Sequence, residues 1–176
     1  MQSTIEATMP STLDPMLREF REEAGITKRA LQRVPADKLG WKPHPKSMSL
    51  GQLSMHIATI PSRLSQLAQL DGFDVTQASF DPPHPKNMEE VLAAHEQSVL
   101  DAEKCLQGMT EQQAQANWRL MKKDKEIFTK PRISILRSIL LNHWYHHRGQ
   151  LSVYLRLLDV PVPVIYGRSA DESPFD

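Results

Sequence analysis

Residues 142–151 read NHWYHHRGQL and place three histidines within five positions. They lie in a segment of about residues 131–158 whose apolar side chains recur every three or four positions, as in an amphipathic helix. A helix turns by ~100° per residue, which projects most of these apolar side chains to within ~60° of His143. They are Leu136, Ile139, Leu140, Tyr154, Leu157 and Leu158. The stretch therefore predicts a long helix whose apolar face is centred near His143.

The same projection separates the histidines of this helix. His147 falls ~40° from His143, inside the predicted apolar face, whereas His146 falls ~60° to the other side, near its edge. A histidine pair at positions i and i+4 is a common way for a helix to present two imidazoles to a metal ion. Gln150 also projects inward. Two interpretations stay open at this point: metal ligands, or polar side chains that hydrogen-bond one another in the core.

A third inward histidine would favour the metal interpretation, and the chain offers two candidates. His56 borders the apolar face of a second predicted helix, beside Leu53 and Ile60. His95 lies on the apolar face of a third predicted helix. Periodicity does not choose between these two histidines.

Three further helices are predicted by the same periodicity. They span about residues 14–34, 49–67 and 87–106, and the second is expected to kink at Pro61. Residues 108–131 favour either a short helical turn or an extended piece, and no segment alternates convincingly with the period of a strand. The links are longer than those between simple up-and-down neighbours. The sequence therefore predicts an all-α fold, a four-helix bundle with long crossover-type connections.

Bulk composition describes an ordinary globular protein. The 176 residues suit a single domain over residues 1–176, with a core at about 14–158 and a C-terminal tail at 159–176. Lys plus Arg and Asp plus Glu both number 21, so the chain has no basic surplus for gripping nucleic acid. Neither a membrane span nor a secretory signal is predicted, and one cysteine excludes an internal disulfide. The cytoplasm is the expected location.

Two stretches resemble the DinB/YfiT-like family. They are SLGQLSMHI at residues 49–57 and LNHWYHHRGQLSVYLRLLDVPVP at 141–163. The most specific part is the pattern His-x-x-x-His-x-Gly-Gln, which His143, His147, Gly149 and Gln150 meet. The Trp-Lys-Pro at residues 41–43 is also similar to the family. The resemblance covers most of the chain.

The resemblance implies a four-helix bundle, often dimeric, that binds a divalent metal such as zinc or nickel. Its ligands would be His56, His143 and His147, with His95 as a core or supporting residue. Some relatives use low-molecular-weight thiols such as bacillithiol or mycothiol in transferases or isomerases, and others resemble hydrolases. A small-molecule substrate is implied, with no nucleic acid and no membrane as partner. Two alternatives remain: a metal-free binding or stress-related bundle without catalysis, and a DNA-damage protein, which the balanced charge opposes.

Several other residues have a predicted place. Gln150 is expected either to support a ligand histidine or to satisfy a neighbouring carbonyl, and Cys105 to pack as a small hydrophobe. Arg148 and Arg156 project outward and are expected to be solvated.

A second apolar strip on the last helix predicts packing under a linker or a homodimer face. It comprises Leu141, Trp144, Tyr145 and Leu155. The tail is expected either to fold over the metal cavity and touch substrate or to be disordered or docked on the surface. The candidates for substrate contact are Tyr166, Ser169, Asp171 and Glu172.

Overall fold

The computed structural model describes residues 12–79 and 81–175. The prediction that the N-terminus carries no secretory signal concerns the first eleven residues, which lie outside the described part. The described chain is mostly helical, with a small three-stranded sheet. The helices are α1 (Leu13–Gln32), α2 (Leu50–Gln69), α3 (Met88–Gly108), α4 (Glu111–Gln115), α5 (Arg132–Ile135) and α6 (His143–Leu157). A π-helical segment, Leu136–Asn142, joins α5 to α6. None of the described helices is long and apolar enough to cross a membrane.

Local sequence sets where the helices begin. Ser49 precedes α2 and forms a capping box with Gln52, in which each side chain satisfies the other residue's backbone N–H. The Asn87 side chain accepts from the backbone N–H of Glu90 at the start of α3. These caps lie where the sequence predicted the two helices to begin.

Pro61 interrupts the hydrogen bonding of α2, and neighbouring helices compensate for it. Proline has no N–H, so it leaves the carbonyl of Ile57 without its usual helical donor. The indole Nε1–H of Trp144 donates to that carbonyl at 2.9 Å. The backbone N–H of Ser62 donates to the Ser98 hydroxyl on α3 at 2.8 Å. The predicted break is therefore a point where α3 and α6 are tied to α2.

Because of this arrangement, we expect Trp144→Phe and Pro61→Ala to be strongly coupled. Trp144→Phe leaves the buried Ile57 carbonyl without a partner, which should lower the free energy of unfolding by about 1–3 kcal/mol. Pro61→Ala supplies an N–H for that carbonyl, so the same Trp144→Phe change should then cost about 1 kcal/mol less. Urea unfolding of the four proteins measures the coupling. Trp118→Phe is the control, because Trp118 donates to the Leu67 carbonyl instead. It should lower the free energy of unfolding by the same amount in the parent and in Pro61→Ala.

The sheet corrects the all-α prediction. Strand β1 (Gly72–Asp74) pairs in parallel with β2 (Asn117–Lys122), which pairs antiparallel with β3 (Lys125–Pro131). Only Trp118 of β2 and β3 is fully buried, and a register irregularity falls between Leu120 and Met121. Without alternating burial these strands leave little period-two pattern, so the sequence does not predict them.

The buried face of α6 lies a quarter turn from the predicted one. Trp144, Leu151 and Leu155 are fully buried there, whereas Leu157 is exposed. A π turn holds more residues than an α turn, so the apolar residues before and after Asn142 do not share the phase that a uniform helix would give them. Leu141, Trp144 and Leu155 therefore belong to the protein's own core, and they give no reason to expect a dimer face.

Arg148 is also corrected, because its guanidinium is buried rather than solvated. The side chain is 1% exposed and forms an ion pair with Glu23 on α1. It donates to the Thr27 hydroxyl at 3.0 Å and lies over the rings of Tyr145 and Tyr166, 5.3 Å and 5.0 Å from their centroids. Arg156, in contrast, is about half exposed, as expected, and pairs with Asp171.

Candidate metal centre

Two elements bring three histidines together. His56 lies in the second turn of α2, and His143 and His147 lie in the first turns of α6. One ring nitrogen from each lies within 4.8 Å of the other two. The Nε2 atom of His143 is 3.4 Å from that of His56 and 2.7 Å from that of His147. All three side chains are partly buried, so the cluster remains reachable from solvent.

The donor set fits a divalent ion. Imidazole nitrogens bind zinc at about 2.0–2.1 Å, which in tetrahedral geometry sets neighbouring nitrogens roughly 3.3 Å apart. The His56–His143 separation already has this value, and the shorter His143–His147 separation requires only a small rotation of the rings. With all three ring nitrogens within 4.8 Å of one another, the histidines fit a divalent ion as its ligands.

Hydrogen bonds orient two of the rings. His147 Nδ1 lies 2.7 Å from Gln150 Oε1, an acceptor that holds the proton on Nδ1 and leaves the Nε2 lone pair facing the cluster. His143 is hydrogen-bonded to the backbone of Ile139 in the π segment. Of the two roles considered for Gln150, the structure shows the contact with a cluster histidine.

The surroundings keep the imidazoles neutral. Burial, followed by the charges of His147, His143 and Arg63, lowers the pKa of His56 to about 4. Burial is also the main reason why the pKa of His147 falls to about 4, although the hydrogen bond to Gln150 acts to raise it. Burial likewise lowers the pKa of His143. Neutral imidazole is the form that binds a metal. All three rings are therefore in the binding form at neutral pH.

The lowered pKa values predict that the metal-free protein loses stability in acid. In the unfolded chain these histidines take up protons near pH 6.5, whereas in the folded chain His56 and His147 do so only near pH 4. Between these values the unfolded state binds more protons, so the free energy of unfolding should fall as the pH is lowered from 6.5 to 4. Urea unfolding in chelator at several pH values measures this slope. His56→Gln should flatten it and His84→Gln should not; equal slopes in all three proteins would contradict the assignment.

The other two histidines of the predicted helices, His95 and His146, do not join the cluster. His95 is buried in α3, with Nε2 3.3 Å from the carbonyl of Ala24, so it is the core residue that the resemblance implies. His146 is exposed, although its ring centroid is 4.9 Å from that of His147. The structure thus separates His56 from His95, which periodicity alone could not do.

The C-terminal tail docks on α1 and α6 through its polar groups. Tyr166 donates to Glu23 at 3.0 Å, and Asp171 and Glu172 pair with Arg156 and Arg33. Of the two predicted placements, these contacts match a tail that lies elsewhere than over the cluster. Cys105 is also remote, since it lines a cavity of about 770 Å³ together with Gln69 and Arg132, beyond the far end of α2.

Two contributions to the cluster were not predicted from the sequence, the charge of Arg63 and the backbone contact of Ile139. Arg63 lies seven residues after His56 on α2, a spacing that places both on the same side of a helix. The sequence alone could therefore have predicted its place. The Ile139 backbone contact depends on the π segment, and an apolar stretch of this kind carries no pattern that signals a π turn.

Comparisons with known proteins agree on one family and one fold. A family model described as the DinB family matches residues 9–174. A DinB-like protein from Bacillus cereus is 22% identical, with a TM-score of 0.67 over 90% of this chain and 100% of its own. A DinB-like protein from Bacillus subtilis is 18% identical, with a TM-score of 0.66 over 86% of this chain and 96% of its own.

A more distant likeness connects the fold to an enzyme. A variant of mycothiol-dependent maleylpyruvate isomerase is 13% identical, with a TM-score of 0.52 over 88% of this chain and 68% of its own. At these identities the solved structures show the fold alone. The sequence matches none of the curated proteins.

Proposed function

The chain belongs to the DinB family, and from this premise we propose that it is a divalent-metal-dependent enzyme that acts on a small molecule. The observation that carries the proposal is the cluster of three ring nitrogens within 4.8 Å. His56, His143 and His147 would be the ligands, and zinc or nickel suits imidazole. Three neutral ligands leave a coordination position open, as in catalytic rather than structural sites.

The chain's own residues have defined tasks in this proposal. Gln150 holds the proton of His147 on Nδ1, so that Nε2 faces the cluster. The hydrogen bond between Trp144 and Ile57 fixes the position of α6 along the axis of α2, so that His143 lies beside His56. When bound, the ion supplies Lewis acidity, which lowers the pKa of a coordinated water or thiol and polarises a carbonyl. Partial burial limits the access of water to the reacting groups.

A thiol-dependent S-transferase is the first reaction class, and a hydrolase is the second. The likeness in fold to a mycothiol-dependent isomerase supports the first, with a low-molecular-weight thiol as cosubstrate. A thiolate is a strong ligand for zinc and a strong nucleophile. The hydrolase needs only water at the open position.

A metal-free small-molecule-binding or stress-related bundle without catalysis is the rival. It is favoured by the 2.7 Å contact between the Nε2 atoms of His143 and His147, a distance at which one imidazole donates to the other. In that case the histidines form a hydrogen-bonded polar patch, and the protein binds its ligand without an ion.

We also propose a bundle architecture, an oligomeric state and a location for the protein. α1, α2, α3 and the helical stretch 132–157 would form a four-helix bundle with long connections, within one domain spanning residues 1–176. The family resemblance supports a homodimer. The single cysteine fits a reducing compartment, which supports the cytoplasm as the location. The balanced charge supports neither nucleic acid nor a membrane as partner.

The test begins with elemental analysis of protein purified without an affinity tag. The proposal expects about one zinc or nickel per chain that survives dialysis. Metal-loaded and chelator-stripped protein are then screened for conjugation of a thiol to an electrophile and for ester hydrolysis. Activity that is lost on stripping and restored by the metal would support an enzyme. Protein that carries no metal and takes up none on titration would leave the metal-free rival.

A further inference from the structure

The candidate ligands of the histidine cluster are three imidazoles, none of which carries a negative charge. Among the described residues, no carboxylate joins this group. A divalent ion held by three neutral ligands would keep its full charge there. A partly buried charge needs a counter-charge. If the proposed metal binds, the site as a whole carries positive charge and favours an anionic ligand.

Arg63 marks one side of the cluster. It follows His56 by seven residues, which places the two on the same side of α2, about 20° apart and ~10 Å along the axis. The side chain is exposed, no hydrogen bond or ion pair to it is formed within the described part of the chain, and its charge acts on His56. A guanidinium on a long, mobile stem can turn back toward the cluster and offers a planar pair of donors.

The opposite side of the cluster is aromatic. α2 and α6 run in opposite directions, since Tyr154, beyond His147, donates to the carbonyl of Met48, which precedes α2. The Tyr154 ring packs edge-on against Trp41 at 5.7 Å between centroids. Along α2 and α6 the cluster is therefore flanked by aromatic rings on one side and by Arg63 on the other.

We propose that the site takes an anionic small molecule whose carboxylate pairs with Arg63 while its reacting end lies at the three histidines. This inference rests on the proposed metal site and narrows its substrate class to carboxylic acids or acid-bearing thiols. Arg63 acts as a specificity residue: it selects and orients the acid. A guanidinium can bind a carboxylate through two parallel hydrogen bonds, a geometry that an ammonium cannot offer.

The test compares an acidic probe with its neutral analogue on the zinc-loaded protein. Isothermal titration measures binding of 3-mercaptopropionate and 3-mercaptopropanamide, which differ only in the charged end. The parent should prefer the acid by roughly tenfold, the range of a partly exposed charge-assisted contact. Arg63→Gln should abolish the preference by weakening the acid alone. Arg63→Lys should keep part of it, and Arg18→Gln, at another exposed arginine, should match the parent.

The outcomes separate this proposal from the one it rests on. If zinc and the amide bind normally but the parent does not prefer the acid, or Arg63→Gln retains the preference, the role of Arg63 is wrong and the metal site stands. If Arg63→Gln weakens the binding of both probes equally, the role of Arg63 is also wrong, because the residue would then act on the fold or on metal binding. If the parent binds no zinc, the proposed function fails, and the assignment of Arg63 falls with it.

Discussion

Replacing His143 with alanine is expected to abolish stoichiometric binding of zinc or nickel. His143 is the middle member of the cluster, with its Nε2 atom 3.4 Å and 2.7 Å from those of His56 and His147. Loss of a supporting hydrogen bond near a metal typically costs 10–100-fold in affinity, and loss of a ligand should cost more. Elemental analysis after dialysis, with competition against a chromophoric chelator, measures the change.

Two further variants make the result specific. Gln150→Ala removes only the support of His147, so its affinity should fall by roughly 10–100-fold while some metal remains. His146→Ala alters an exposed histidine of the same helix and should bind like the parent. If His146→Ala loses as much metal as His143→Ala, the ligand set is wrong.

Arg148→Met is expected to lower the free energy of unfolding by about 3–5 kcal/mol, the cost of leaving one partner of a buried ion pair alone. The carboxylate left behind is that of Glu23, which is 8% exposed. The change also removes the contacts of the guanidinium with Thr27 and with the ring of Tyr166. Urea unfolding of the metal-free proteins measures the difference.

The matched control lies on the same helix. Arg156 pairs with Asp171, but its side chain is 49% exposed, so Arg156→Met should cost no more than about 1 kcal/mol. The double change Arg148→Met with Glu23→Gln should recover part of the loss, because no uncompensated carboxylate then stays buried. Equal costs for Arg148→Met and Arg156→Met would contradict the buried pair.

The sequence predicted the helices and the histidine pair because both depend on local spacing. Residues at i and i+4 share a helix side whatever the rest of the chain does, so His143 and His147 could be paired before any fold was known. His56 could not be chosen over His95 from the chain alone. That choice depends on how α2 and α3 face α6, and only the family resemblance favoured His56.

The misplaced features depend on contacts between distant parts of the chain. Arg148 looked solvated because a uniform helix puts it opposite the predicted apolar face, whereas Glu23 of α1 supplies its charge partner inside the protein. The π segment also shifted the buried face of α6 away from His143. This shift leaves the histidines at the border of the core, where a small molecule can reach them.

The hydrogen bond from Trp144 to Ile57 joins residues that are 87 positions apart. Closing so long a loop costs chain entropy, and contacts of this range form slowly compared with the helices themselves. A folding intermediate with α6 formed but not docked would carry the His143–His147 pair without His56. The three-histidine cluster thus exists only once α6 has docked on α2, which ties the site to the closing of this long loop.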